Sequence, residues 1–331
     1  MNYRIANYLT KEELEHCTEL LARNGLRYEE KVSDTIAIYD QDKIIATGSI
    51  YENVIKMIAV DENYQGQNIT AIILNHYINY FSNKRVYKYF IYTKPESVKY
   101  FTEYNFSLVS MTDTIALLEN NFETIDEFLQ KQKQIHRIND EDTACIVMNC
   151  NPVTNGHLYL IEKCAKENHK TIIFLVEEDK SVFPYSIRYE LLTKATSHLS
   201  NVQILPSSIY IISSATFPTY FLKELNQASL EYMKLDIQIF KDHFMKIFHI
   251  AKRYIGSEPL DPTTSAYNQT MRDILKDQLV VIDRKMFDSH IISASRVRKL
   301  AQELKFDELK PYVPEVTYQL LTSEVGRALF L

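Results

Sequence analysis

Six glycines in 331 residues, four cysteines without one CxxC pair, and no apolar run near the length of a membrane span set the first limits on this chain. The missing span excludes a transmembrane helix. Cys17, Cys145, Cys150 and Cys164 offer neither zinc-ligand spacing nor a disulfide framework. Cys145 falls in an apolar strand pattern and Cys164 on the apolar side of a helix, so the four read as reduced core thiols. An excess of positive charge is also lacking: the net charge is -6 with both signs mixed, which argues against a nucleic-acid partner. The opening MNYRIANYLTKEELEHC has no signal-peptide core, so the cytoplasm is the expected location, with no membrane partner. No Ser-His-Asp arrangement and no pair of catalytic carboxylates stands out.

What is present suffices for two cores, with 46% apolar residues over this length. Residues 1–135 alternate short strands and helices in an α+β order. Strands are expected at Asp34–Tyr39, Lys43–Ile50, Asn53–Val60 and Val86–Tyr92, and helices at Ile69–Phe81 and Pro95–Tyr104. The polar stretch Gln130–Asp142 is a candidate junction. From 143 to 331 a new alternation begins. Thr143–Met148, Thr171–Val176, Val202–Leu205, Arg253–Gly256 and Gln278–Ile282 are apolar runs separated by helical patterns, among them Ile187–Ser197, Phe217–Leu225 and Ile237–Ile250. Continuous apolar strands alternating with helices predict a doubly wound parallel sheet, with ligands at the carboxyl ends of its strands.

One of the six glycines stands at such an end, in Asn149-Cys150-Asn151-Pro152-Val153-Thr154-Asn155-Gly156-His157. Asn151-Pro152 makes a rigid exit from the strand. A helix start presents unpaired N–H groups and partial positive charge to a phosphate, Gly156 removes a Cβ from the approach, and Thr154 offers a hydroxyl as cap or phosphate ligand. His157 projects from the same turn, placed to donate to a phosphoryl oxygen. Alone, this corner would read as a capped helix with a packed histidine.

It is not alone. NPVTNGH resembles the T/H-x-G-H signature of the nucleotidyltransferase superfamily, and Ile292-Ser293-Ala294-Ser295-Arg296-Val297-Arg298 resembles its second signature, I-S-S-T-x-x-R, with Arg298 at the arginine. In the first third, KMIAVDENYQGQNITAIIL and the later YFTEYNFSLV resemble the acetyl-CoA-type (GNAT) N-acyltransferase fold, with Asn68 and Thr70 where that family has small residues. That departure implies a degenerate domain that keeps the fold. EEDKSVFPYSIR at 177–188, ISSATFP within 210–223 and GSEPLDPTTSAYN at 256–268 resemble citrate lyase ligases, a likeness that covers essentially the whole chain.

That resemblance implies the following. ATP and Mg²⁺ are the expected cofactors, and acetate is joined through acetyl-adenylate to the thiol of the phosphoribosyl-dephospho-CoA arm on the citrate lyase acyl carrier subunit. Thr154 and His157 contact the α/β-phosphates at the corner formed by Asn151, Pro152, Asn155 and Gly156. Ser293, Ser295 and Arg298 hold the β/γ-phosphates. Lys180 either reaches phosphate or acetate or is a loop lysine in an acidic run. Arg188 either braces the triphosphate or pairs with Glu190. Gly256, Ser257 and Glu258 touch the adenosine, and Ser213, Ser214 and Thr216 line the substrate pocket. No residue is assigned as a metal ligand. An ionised acetate needs no general base, so the absence of one fits. Four alternatives stay open: a ligase for the malonate decarboxylase carrier, a pantetheine-phosphate adenylyltransferase, a non-catalytic carrier-binding module and an active N-acetyltransferase.

Overall fold

The computed structural model describes residues 3–178, 181–213, 216, 226–259 and 261–330. The chain divides into two units, Met1–Phe128 and Leu129–Leu331.

In the first unit, apolar runs are buried on both faces of one seven-stranded sheet. Its strands are β1 (Arg4–Ala6), β2 (Asp34–Asp40), β3 (Lys43–Tyr51), β4 (Val54–Val60), β5 (Phe90–Thr93), β6 (Phe106–Met111) and β7 (Ala116–Asn120). They run in the order β1-β2-β3-β4-β5-β7-β6, antiparallel except where β4 meets β5. Helix α1 (Lys11–Arg23) starts from a reciprocal cap between Thr10 and Glu13 and lays Cys17, Leu20 and Leu21 against Ala37 and Tyr39. Helix α2 (Ile69–Asn83) covers the other face with Ile73, Tyr77 and Phe81. Gly48 permits that contact, because a Cβ there would lie 2.6 Å from Ile73 Cγ2. The loop before α2 takes two left-handed residues, Gly66 at φ +79° and Asn68 at φ 59°. Space around Gly66 is open to 4 Å, so it is the sign of φ that favours glycine there.

Three expectations are revised here. The strand predicted at Val86–Tyr92 is only β5, and the helix predicted at Pro95–Tyr104 shortens to a 3₁₀ turn followed by α3 (Val98–Thr102). The polar stretch expected as a junction is helical over its first six residues, as the end of α4 (Ile125–Ile135). Ile125 and Leu129, four residues apart and buried, anchor that helix despite the polar run.

The second unit is built on β8 (Thr143–Met148), β9 (Thr171–Leu175), β10 (Val202–Pro206), β11 (Ile250–Gly256) and β12 (Leu279–Ile282), all parallel, in the order β10-β9-β8-β11-β12. Winding reverses between β8 and β11, which makes the carboxyl end of that pair the crevice of the fold. Helices α5 (Asn155–Glu167) and α6 (Tyr185–Thr196) carry Ile161, Cys164, Leu191 and Leu192 onto Ile146, Ile173 and Leu175. On the opposite face Phe174 meets Phe244 and Phe248 edge to face, with ring centres 5.3 and 5.4 Å apart. The helix expected at Ile237–Ile250 begins earlier, as α7 (Gln227–Ile239), because Asn226 caps it reciprocally with Ser229. It then widens into a π-helical turn, Phe240–Met245. Helices α8 (Pro262–Leu275) and α9 (Ala294–Gln302) complete the surroundings of the crevice. The helix expected at 217–225 lies outside the described residues.

Candidate active site

After Met148 the backbone turns sharply: Cys150 takes φ +51° and the Asn151-Pro152 bond is cis. Thr154 then caps α5. Its hydroxyl accepts the His157 N–H at 3.3 Å, and its own N–H donates to His157 Nδ1 at 3.0 Å. A backbone N–H can only donate, so Nδ1 is an acceptor and the ring's proton sits on Nε2. Burial, reinforced by the charge of Arg284, lowers the His157 pKa to about 4. At neutral pH the imidazole is therefore uncharged and presents one N–H donor.

The N-terminus of α9 meets the N-terminus of α5. Ser293 caps α9 by accepting the Arg296 N–H at 3.3 Å. A Cβ on Gly156 would lie 3.1 Å from the Ile292 carbonyl oxygen. The observed work of Gly156 is thus to let the two motifs touch, in addition to opening the approach expected from sequence. Arg298 ties them further, donating from Nη1 to the Asn151 carbonyl and from Nη2 to Ser295 Oγ at 3.2 Å.

These residues line one cavity of about 640 Å³ at the β8/β11 crevice. Asn151, Thr154, Gly156, His157, Gly256, Glu258, Ser293, Ser295 and Arg298 all reach it. Six expected residues among those described do not line it: Pro152, Asn155, Arg188, Ser213, Thr216 and Ser257. Pro152 shapes the turn, and Asn155 donates to the Pro311 carbonyl at 2.9 Å. Ser257 positions Arg284, accepting its backbone N–H on Oγ at 3.3 Å and its Nε–H on the carbonyl at 2.7 Å.

Arg188 is fully buried and does not pair with Glu190, which binds Lys194 at 2.6 Å. Its guanidinium donates to the carbonyls of Phe183 at 2.8 Å, Asn149 at 3.0 Å and Val176 at 2.6 Å. It is a bracket across the ends of β8 and β9, which need donors where the strands stop pairing. Lys180 and Ser214 lie outside the described residues. Ser213 donates to the Ile209 carbonyl at 2.6 Å and Thr216 to Asp236 at 3.0 Å, so both hydroxyls are engaged within the protein, and neither residue lines the cavity.

Sequence reading missed Arg284 and Lys285, which follow β12 and line the cavity. Arg284 forms an ion pair with Glu258, holding a cation across from His157. Their signal was available: two basic residues one position beyond the carboxyl end of a parallel strand, after Asp283. With Arg298 they give the cavity a cationic wall suited to phosphates.

A parallel sheet of this order, with two capped helix starts, a neutral histidine donor and three cations at its reversal point, is the architecture of a phosphate-handling α/β enzyme. The family model for the citrate lyase ligase C-terminal domain matches residues 143–321, and that for an acetyltransferase (GNAT) domain matches residues 5–116. [Citrate [pro-3S]-lyase] ligase of Escherichia coli is 34% identical over 312 residues, 92% of this chain and 88% of that one. The ligase of Haemophilus influenzae is 33% identical over 91% and 92% of the two chains. A phosphopantetheine adenylyltransferase of Clostridium botulinum is 46% identical over 56 residues, 16% of this chain and 35% of that one. The chain belongs to the citrate lyase ligase family.

Proposed function

We propose that this ligase uses ATP to activate acetate and then acetylates the thiol of the phosphoribosyl-dephospho-CoA arm on the citrate lyase acyl carrier subunit. The observation that carries this reading is the His157 ring, neutral and fixed with its N–H on Nε2, in one cavity with Arg284, Lys285 and Arg298. An acetate oxygen attacks the α-phosphorus, the bond to the pyrophosphate oxygen breaks, and acetyl-adenylate remains. The thiolate of the arm then attacks the acyl carbon and AMP departs. His157 donates to an α-phosphoryl oxygen whose charge grows in the first step. Arg298 and Arg284 stabilise the departing pyrophosphate. Mg²⁺ carried on the ATP phosphates would supply further charge neutralisation. Among the described residues no cluster of three or more His, Cys, Asp or Glu is placed to hold a metal.

The first unit, in this reading, binds the prosthetic arm. Its support is the open, left-handed turn at Gly66 ahead of α2, together with the acetyltransferase family match. The test of the function is ATP–pyrophosphate exchange with and without acetate, beside His157→Ala. Acetate-dependent exchange that disappears in the variant supports carboxylate adenylation. Exchange driven by phosphopantetheine instead of acetate would overturn it.

A further inference from the structure

Beneath the cationic mouth of the cavity lies a second arginine environment that the phosphate chemistry does not use. Arg253 sits in β11, paired in register with Cys145 of β8, three residues before the strand's carboxyl end at Gly256. It is 2% exposed, yet it lines the cavity. Its Nε and Nη1 are buried and have no hydrogen-bond partner. Its guanidinium lies 4.3 Å from the centre of the Phe240 ring, a contact that holds the plane while accepting none of those N–H bonds in the ordinary way. Asp236 and Tyr267 feel the charge of Arg253, but the Asp236 carboxylate already accepts from Ile212 N at 2.8 Å, Thr216 Oγ1 at 3.0 Å and Tyr267 Oη at 2.6 Å and leaves Nε and Nη1 without a partner. A buried cation with unused donors beside a cavity is an energetic anomaly that a bound anion would resolve.

We propose that Arg253 is the receptor for the carboxylate of the small acid substrate. The inference rests on the acetate-activating reading above and names the residue that reading leaves unassigned. The chemistry of the site selects a carboxylate and keeps it small. Arg253 donates to one carboxylate oxygen and leaves the other for the α-phosphorus. Val147, Ile212 and Met271, which line the same cavity, offer apolar surface to a short alkyl group. The phosphates are drawn instead to Arg284, Lys285 and Arg298, so the two anions of the reaction are sorted onto separate cations.

The test is the acetate dependence of ATP–pyrophosphate exchange in the full-length wild type, Arg253→Met and Arg253→Lys, with ATP binding measured separately by titration without acetate. Arg253→Met is expected to raise the KM for acetate at least tenfold while the Kd for ATP stays within threefold, and lysine is expected to recover part of the loss. An unchanged acetate KM, or parallel losses of acetate and ATP binding, would overturn the proposal. Should Arg253→Met fail to fold, Met271→Ala decides. It is expected to move the preference from acetate toward propionate and butyrate, and an unaltered chain-length profile overturns the placement. A wild type without acetate-dependent exchange would sink the functional reading itself and this inference with it. Wild-type exchange with an indifferent Arg253 would sink the inference alone.

Discussion

The Thr154 N–H donates to His157 Nδ1 at 3.0 Å while the Thr154 hydroxyl accepts the His157 N–H at 3.3 Å. One pair of residues therefore starts a helix and fixes an imidazole tautomer. The hydroxyl also lies 3.0 Å from Nδ1, but the backbone N–H alone makes Nδ1 an acceptor, so the two jobs can be told apart by removing the hydroxyl. Thr154→Ala removes the hydroxyl and keeps the backbone donor, so it should cost about 1 kcal/mol of stability and little exchange activity. His157→Ala should lower acetate-dependent exchange by about a hundredfold or more. Thermal melts and exchange rates on both variants check this. Equal activity losses would show that the hydroxyl itself touches the phosphates.

The pH dependence follows from the same ring. An unfolded histidine titrates near 6.5, whereas His157 in the fold is lowered to about 4 by burial and then by Arg284. Between those values the unfolded chain holds a proton that the folded chain does not. The contribution of the neutral ring is thus whole above about pH 6.5 and fades as pH falls toward 4. Wild-type exchange should show no His157 titration between about pH 8 and pH 5.5. His157→Gln, which keeps an N–H donor but cannot titrate, should give a pH profile of the same shape. A step near pH 6.5 present only in the wild type would contradict this.

Two arginines that look equivalent in sequence should fail in opposite ways. Arg188→Met strips the carbonyls of Phe183, Asn149 and Val176 of their donors, at a cost of about 3 kcal/mol or more. Arg298 lines the cavity and gives up only its bonds to Asn151 and Ser295, so Arg298→Met should lower the melting temperature less than Arg188→Met and weaken ATP and pyrophosphate binding by about tenfold or more. Calorimetric melts paired with nucleotide titrations separate the two outcomes.

Gly66 holds φ +79° with open space where a side chain would go. Gly66→Val strains that turn without crowding a neighbour. If the first unit holds the prosthetic arm, acetylation of the carrier thiol should fall while ATP–pyrophosphate exchange is spared. Single-turnover assays of each half-reaction make the comparison, and equal loss of both would remove that role from the first unit.

Much of this was legible in the residues. Thr143–Met148 and the helix start at Asn155 are found where the apolar run and the Thr154 cap place them. Ser293 opens α9 as its hydroxyl suggested. What stayed hidden depends on contacts distant in sequence. Arg188 and Arg298 each follow a β-branched apolar residue, Ile187 and Val297, and nothing local tells a bracket for strand carbonyls from a cavity cation. Asn155 and Ser257 sit within the right motifs, yet their polar groups are taken by Pro311 and Arg284. Gly156 was read for what approaches it from outside, but the nearest atom belongs to Ile292, far along the chain. The early start of α7 was masked by a polar first turn that only its cap explains.

Cys150 lines the cavity, yet it is 1% exposed, and burial raises its thiol well above the ordinary range against the pull of Arg188. The other three cysteines are likewise buried and free. An enzyme that prepares a reactive acyl group for someone else's sulfur faces a particular hazard, which is acylating itself. Here the resident sulfur beside the reaction is kept protonated and out of reach, so the first competent thiol the acyl group meets is the one that arrives on the carrier.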